Sequence, residues 1–586
     1  MASTHPRSRS SSPATASAHP EKKPRLDISP EPAEPLEIQD APADYQAPPS
    51  APTSKKNAKG KKNKRLQRRA PEPFSSDDIL TREVIALLGQ DYVQSLVDQK
   101  LDWDAPFEQF AHLDLTVACI SPSTGESLSI AQSGDRKWVI VTPLSLPGER
   151  IRARVYRHAR LHSHADLLEV LESNSEWRDM SRVQCQYFGK CAGCQYQMLS
   201  YEKQLELKRD TVIQAYKNYS GISPDLVPTI GPTIASPLQY GYRTKLTPHF
   251  QGPPHSLQKA WKRGEAPAIE DKPDWLKIGF HAVGTRNVMD IEECPIATPV
   301  INKALPVVRD TVIKNITKYK RGATLLLRDS LPLPPPEAEA DGAAADPSPS
   351  PSSSIAAEHD GHICVTDQKG TVRERVGDML FQYTAGTFFQ NNNSALVPLT
   401  SYVRDAIFPS SSTSTPTAPA PGPTHLVDAY CGSGLFSIML APAFSTVAGI
   451  ELSAESIRAA EHNASLNASS LPTSSISFMS GDAANIFATV HNFPRAQTAL
   501  IIDPPRKGTD ARFIEQMVAF GASTVVYVSC NVHTQARDVG MILAQSAAHA
   551  QTEAGAGKRY VLESLCGLDL FPQTAHVEAI AVLRLV

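Results

Sequence analysis

What the chain lacks narrows it first. It has no apolar run near the roughly 18–20 residues that a bilayer crossing needs, so no spanning helix is expected. No secretory apolar core opens it, and its cysteine count, 9 in 586 residues, is odd. Both argue against a disulfide scaffold and for a reducing, intracellular setting. Net charge is nearly lacking too: 58 Lys and Arg against 61 Asp and Glu leave −3. At face value that argues against a nucleic-acid binder. Proline is the opposite case. Its 48 residues exceed the usual share of about 5%, so part of this chain is not packed core.

The missing charge is a cancellation. Residues 1–76 hold 14 basic and 8 acidic residues, 77–112 hold 2 and 8, 113–330 hold 29 and 22, and 331–586 hold 13 and 23. Partners must therefore be argued part by part. Residues 1–76 are rich in Ser, Pro and Lys, with Tyr45 and Phe74 as the only aromatics. Such a segment buries too little apolar surface to offset ordering entropy, so it reads as a disordered basic tail. Nine Lys and Arg lie between Lys55 and Arg69 with no acid among them. That run suits a solvated tail, a nuclear-import signal or an electrostatic RNA tether. The acid-free, Ser- and Arg-rich first twenty residues also leave a mitochondrial transit peptide open.

Residues 77–112 read as a short helical segment, with Ile79, Val84, Ile85 and Leu88 at helical spacing. Over 113–175 the period drops to two. Leu115-Thr-Val117 and Trp138-Val-Ile140-Val are strand-like, and Leu146-Pro-Gly148 turns into Ile151-Arg-Ala-Arg-Val155. Short strands at regular spacing suggest a small OB-type barrel. A mixed α+β central part follows over 176–330, with some of it continuing toward 395. Residues 331–354 and 409–424 are Pro- and Ser-rich insertions, and 355–408 link into the last part.

Residues 425–586 carry the strongest signals. His425-Leu-Val-Asp428-Ala-Tyr430-Cys431-Gly432-Ser433-Gly434-Leu435 reads as strand, Gly-rich turn and helix start. Strands ending at Glu451, Asp503 and Ser529 follow, separated by helical patterns. This alternation predicts an α/β, doubly wound parallel sheet, with a ligand past the strands' carboxyl ends. The turn lacks the GxGxxG spacing of dinucleotide binders. An acid ending the next strand can accept both hydroxyls of a ribose. Turn and acid together resemble the S-adenosylmethionine site of class I methyltransferases. Asp503-Pro-Pro-Arg506 adds a stiff wall beside such a donor.

Two further residues carry reactive groups. Cys530 lies just beyond a strand end, and Glu578 opens the final strand. C5 of uracil becomes nucleophilic only after a thiolate adds to C6, and a base must later remove the C5 proton. That chemistry needs a Cys and a general base beside the donor. Asp428–Phe436, Asp503–Gly508, Val528–Asp538 and Phe571–Glu578 together resemble the RNA uracil-5 methyltransferase family, which modifies tRNA and rRNA. Thr384–Asn392 is similar to the family's donor-contacting stretch. The resemblance implies Cys530 as nucleophile and Glu578 as base. It implies Gln390, Tyr430, Glu451 and Asp503 as contacts to S-adenosylmethionine, with Gly432, Gly434 and Asp482 as secondary ones. Where family members often carry a polar residue, this chain has Leu435, so a side-chain contact there is not expected.

Cys185, Cys191 and Cys194 lie close in sequence, and Cys294 is the natural fourth ligand. The set suits a [4Fe–4S] cluster, as in some bacterial members, or zinc, or unmetallated thiols. The x5 gap argues against radical S-adenosylmethionine chemistry. Tyr242, Arg243 and Lys245 in the basic central part, and Arg506, are the implied RNA contacts. The barrel resembles a TRAM-type RNA-binding module. The reading implied is a tRNA uracil-5 methyltransferase acting on the T-loop uridine at position 54, monomeric, working with S-adenosylmethionine in nucleus, cytoplasm or mitochondrion. The rRNA counterpart, a non-catalytic tRNA-folding protein and a nuclease remain the rivals.

Overall fold

The computed structural model describes residues 71–265, 271–333, 355–409, 422–471, 475–481 and 486–586. Asp482 lies outside them. The described chain begins with two short helices, Ser76–Leu88 and Gln90–Asp98. Ser75 caps the first by accepting from the Asp78 amide at 3.3 Å, and Asp77 and Asp78 complement its positive end. Leu80, Val84, Val93 and Leu96 pack with Leu128, Val139 and Val141 of the domain that follows.

That domain is a closed five-stranded barrel: His112–Ile120, Glu126–Ser133, Arg136–Pro143, Arg150–His158 and His162–Glu172. The strands run in the order first, second, third, fifth, fourth, and the fourth closes on the first. Alternation drives the closure. Leu115, Val117, Ile151, Ala153 and Val155 point inward around Trp138, whose ring nitrogen donates to Ser163 Oγ at 2.9 Å. The outward arginines of the fourth strand meet acids. Arg152 pairs with Asp114 at 2.9 Å and Arg154 with Asp166 at 2.8 Å. Part of the basic excess of residues 113–330 is thus already neutralised on this barrel.

The C-terminal sheet has seven strands. In chain order they are His425–Ala429, Thr446–Glu451, Ser475–Ser480, Thr498–Ile502, Thr524–Ser529, Tyr560–Leu568 and Glu578–Leu585. Their spatial order is third, second, first, fourth, fifth, seventh, sixth. The first five pair in parallel, as the βα alternation predicts. The last strand corrects an all-parallel expectation: it inserts antiparallel between its two neighbours. A strand that follows its partner after only the short segment Asp569–Val577 has no room for a crossover helix, so it returns antiparallel.

Helices and a hairpin cover both faces of this sheet. One face carries Ala511–Phe520, Val532–Ala550 and the helix Tyr201–Tyr219. That last helix lies before 330 in sequence, yet its Val212, Ala215 and Tyr216 join the sheet's own core. The other face carries Leu396–Ile407, Leu435–Leu440 and the hairpin Thr371–Val376 with Met379–Thr384. Among the described residues, no helix is long and apolar enough to cross a membrane.

Candidate active site

The carboxyl ends of the parallel strands gather the polar groups. Asp428, fully buried near its strand's end, accepts from the Ser437 amide at 2.9 Å and the Ser437 hydroxyl at 2.6 Å. This ties the strand to the helix Leu435–Leu440. Between them the chain makes a sharp turn. Tyr430 is held at φ 64°, and its hydroxyl lies 3.2 Å from that of Thr509. Gly434 takes φ 90°, and a Cβ there would lie 3.1 Å from Ile438 and 3.3 Å from Ala460. Glycine is required on both counts. Leu435 is buried in the core, so its side chain offers nothing to a ligand.

Glu451 ends the second strand and braces the turn. One of its oxygens accepts from the Gly432 amide at 3.3 Å, the other from the Ser453 amide at 3.0 Å. Asp503 follows the fourth strand. Burial and the charge of Asp428 push its carboxyl up to about 7, and burial with Glu451 does the same to Asp428. Asp428, Glu451 and Asp503 are thus close enough for their charges to act on one another, and such a carboxylate cluster favours a cation. Gln390 is half-buried on the segment after the hairpin, beside buried Phe389, which stacks on Tyr383 with centroids 4.6 Å apart.

The antiparallel last strand decides where the reactive pair falls. Its register aligns Ser529 with Ala579. Cys530 is the next residue beyond Ser529 and Glu578 the one before Ala579, so the two come to the same end of the ladder, and the Glu578 charge acts on the Cys530 thiol. Had the strand run parallel, Glu578 would lie at the far edge of the sheet, roughly 20 Å away at about 3.3 Å per residue. Glu578 is buried, and burial followed by Asp503 raises its carboxyl well above the usual range. Burial followed by Glu578 pushes the Cys530 thiol up to about 12. The charge of Arg506 opposes both shifts. His576 is depressed to about 3 by burial, then by Arg506, Lys208 and Arg243, so it is a neutral ring.

Residues that the sequence pattern did not single out fix the loop after Asp503. Asn531 Nδ2 and Thr534 Oγ1 donate to the Arg506 carbonyl at 3.0 and 3.1 Å. Arg537 donates to the Lys507 carbonyl at 2.9 Å. Asp538, fully buried, accepts from the Thr509 amide at 2.9 Å and the Tyr527 hydroxyl at 2.7 Å. Gln535 donates to the Tyr527 and Ala579 carbonyls at 2.8 and 3.0 Å, clamping the two strands that carry Cys530 and Glu578. All four loop-binding side chains and Gln535 lie between 531 and 538, within two helical turns of one another, and that clustering of polar residues is the signal in the sequence that points to them.

Two of the expected RNA contacts lie in the interior. Tyr242 is buried and donates to the Pro572 carbonyl at 3.0 Å. Lys245 is buried on a strand paired with Leu327–Ser330. Neither presents a surface to a base: Tyr242 precedes the strand Lys245–Leu246, and both residues of that strand are buried. Arg243 stays half-buried over the Phe571 ring, at 5.8 Å, and Arg506 is exposed. Cys185, Cys191, Cys194 and Cys294 do converge: Cys194 and Cys294 each feel the thiols of Cys185 and Cys191. As placed, no three His, Cys, Asp or Glu side chains among the described residues are grouped to hold a metal ion.

The strand order, with its antiparallel seventh strand and its acid-lined turn, defines the class I methyltransferase fold. The crystal structure of the Pyrococcus abyssi tRNA (uracil-54, C5)-methyltransferase in complex with S-adenosyl-L-homocysteine shares it: TM-score 0.50, 20% identity, 80% of this chain and 100% of that one covered. A sequence profile of the tRNA (Uracil-5-)-methyltransferase family matches residues 378–584. The chain is 39% identical over 523 residues to the tRNA (uracil(54)-C(5))-methyltransferase of Schizosaccharomyces pombe, covering 89% of this chain and 86% of that one. It is 35% identical to the Saccharomyces cerevisiae protein of the same name, covering 84% and 77%. The chain belongs to the tRNA (uracil-5-)-methyltransferase family.

Proposed function

We propose that this chain methylates C5 of uridine 54 in tRNA, with S-adenosylmethionine as donor. One observation carries the reading: the antiparallel Ser529–Ala579 pairing, which brings Cys530 and Glu578 to one end of the ladder, where each feels the charge of Asp503. The names of the two fungal relatives support the tRNA substrate.

The donor supplies an electrophilic methyl group. Gln390, Tyr430, Glu451 and Asp503 would hold it, with Gly432 and Gly434 letting the backbone approach. The Cys530 thiolate adds to C6 of the uracil, and the electron pair of the C5–C6 double bond becomes available at C5 to take the methyl. Glu578 as carboxylate then removes the C5 proton. That electron pair restores the double bond, the C6–S bond breaks, and Cys530 leaves as thiolate. Arg506 favours both ionised forms. Reaching C6 requires the base to leave its stack.

The four converging cysteines are the donor type that a [4Fe–4S] cluster takes. Burial, ahead of any mutual repulsion, raises these thiols, and a bound cation would offset it. The group has no part in the steps above. About four iron and four sulfide per chain after anaerobic purification support it; iron well below one equivalent refutes it. The barrel is read as a TRAM-type RNA-binding module, supported by its closed order.

The test uses tRNA containing 5-fluorouridine with labelled donor. Fluorine at C5 leaves no proton to remove, so a denaturant-stable adduct should accumulate through Cys530 and vanish in Cys530→Ala. If neither tRNA nor rRNA fragments form an adduct, the mechanism is wrong.

A further inference from the structure

The segment Asp569–Val577, which delivers Glu578, is gripped by side chains from the middle of the chain. Lys208 and Asp569 are both fully buried and form an ion pair. Lys208 also donates to the Phe571 carbonyl at 3.0 Å. The second oxygen of Asp569 accepts from the Tyr201 hydroxyl at 3.0 Å, and its first accepts from the Phe571 amide at 3.0 Å. Gln204 exchanges two hydrogen bonds with Gln573, at 2.9 and 3.1 Å. The amides of Gln195 and Tyr196 both donate to the Gln573 carbonyl, at 2.9 and 3.0 Å.

Gln573 itself sits at φ 72°, a left-handed conformation that costs a side-chain-bearing residue about 1–3 kcal/mol. Such strain persists where surrounding contacts over-determine it, and it collects at functional sites. A buried ion pair is likewise a poor source of stability, because desolvation offsets most of its attraction. What it supplies is one fixed register. Here the pair stands at the entry of a segment whose exit is the Glu578 ladder.

We propose that Lys208 and Asp569 are a positioning pair that sets Glu578 for removal of the C5 proton, leaving the earlier addition of Cys530 untouched. The inference rests on the function proposed above. Cys530 follows the neighbouring strand Thr524–Ser529, which is reached without passing through 569–577, so loosening that segment acts on Glu578 and leaves Cys530 in place. Addition and methyl transfer then proceed, while the electron pair of the C5–H bond is not released and the C6–S bond persists.

The test is a double variant, Lys208→Met with Asp569→Asn, which removes the pair without stranding a buried charge. Tyr201→Phe is a milder second variant that leaves the ion pair and drops two hydrogen bonds, the one to Asp569 and the one accepted from the Ser236 amide. Both are checked by thermal melting before assay. With unmodified tRNA and labelled donor, the double variant should accumulate a methyl-labelled, denaturant-stable adduct that the wild type does not. Its kcat should fall on the order of tenfold to a hundredfold, the range for misplaced catalytic groups, with KM for both substrates little changed. Its adduct with 5-fluorouridine tRNA should form at the wild-type rate, and Tyr201→Phe should show the same pattern more weakly. Wild-type turnover in the folded double variant overturns the inference. So does a parallel loss of adduct formation, which marks a merely structural role. Should the wild type itself form no 5-fluorouridine adduct, the underlying reading fails as well, and that outcome is separate because no variant is involved.

Discussion

The carboxylate cluster makes a quantitative prediction about donor binding and pH. Burial and the neighbouring Asp428 push the Asp503 carboxyl up to about 7. A cationic sulfonium needs it ionised; a neutral thioether does not. With a midpoint of about 7, the ionised fraction rises from about one-tenth at pH 6 to about nine-tenths at pH 8, a factor of about ten in affinity, or about 1.4 kcal/mol. S-adenosylmethionine should thus bind about tenfold tighter at pH 8 than at pH 6 by calorimetry. S-adenosylhomocysteine, which lacks the charge, should shift far less. Near pH 7 the cationic ligand should also release protons, seen as a binding enthalpy that varies with the buffer's ionisation enthalpy. Asp503→Asn should flatten the difference between the two ligands. The sign follows from the raised value: such an acid holds its proton across the interval from about 4 to about 7, where unfolded carboxylates have lost theirs. The ligand-free fold should therefore lose stability over that interval as pH rises. Equal pH dependence for sulfonium and thioether would refute the assignment of Asp503 to the donor's charge.

Other outcomes are equally direct. Asp538→Ala leaves the Tyr527 hydroxyl and Thr509 amide without their acceptor in the interior, and removes the partner of partly exposed Arg537. At about 1–3 kcal/mol for each stranded buried group, urea unfolding should show a loss of about 3–5 kcal/mol, and Asp538→Asn a smaller one; a loss under about 1 kcal/mol refutes its bracing role. Removing residues 1–70, which carry the nine-cation run, should weaken RNA binding and reduce its salt dependence by about 0.7 logarithmic units for each phosphate that the tail neutralises. Turnover at saturating RNA should survive, and its complete loss would show that the tail does more than tether.

Sequence pattern revealed the catalytic half well and its supports poorly. The parallel strands that run up to Glu451 and Asp503 announced themselves as apolar runs followed by an acid, because strands buried on both faces read as near-continuous apolar runs. The barrel was legible from its period of two. Tyr, Arg and Lys side by side look like a nucleic-acid contact, yet Tyr242 and Lys245 are buried, Tyr242 with its hydroxyl on the Pro572 carbonyl and Lys245 within a paired strand. Lys208 and Asp569 stand 361 residues apart, and no local period relates residues at such a distance.

The direction of the last strand is the step that joins fold to chemistry. Its residues, Glu578 to Leu585, would suit a parallel or an antiparallel strand equally, since both bury an apolar run. What decides is the connection. Nine residues, Asp569–Val577, separate it from the preceding strand, too few for the dozen or more that a parallel crossover needs. Held in a fixed path by Lys208, Gln204 and Tyr242, that segment folds back and inserts its strand beside Thr524–Ser529. Only then does a carboxylate at the start of one strand meet a thiol at the end of another. Lengthening the segment by a few residues would leave the sheet's pairing intact while freeing Glu578. The reactive pair thus depends on a short, over-determined connection as much as on the two residues themselves.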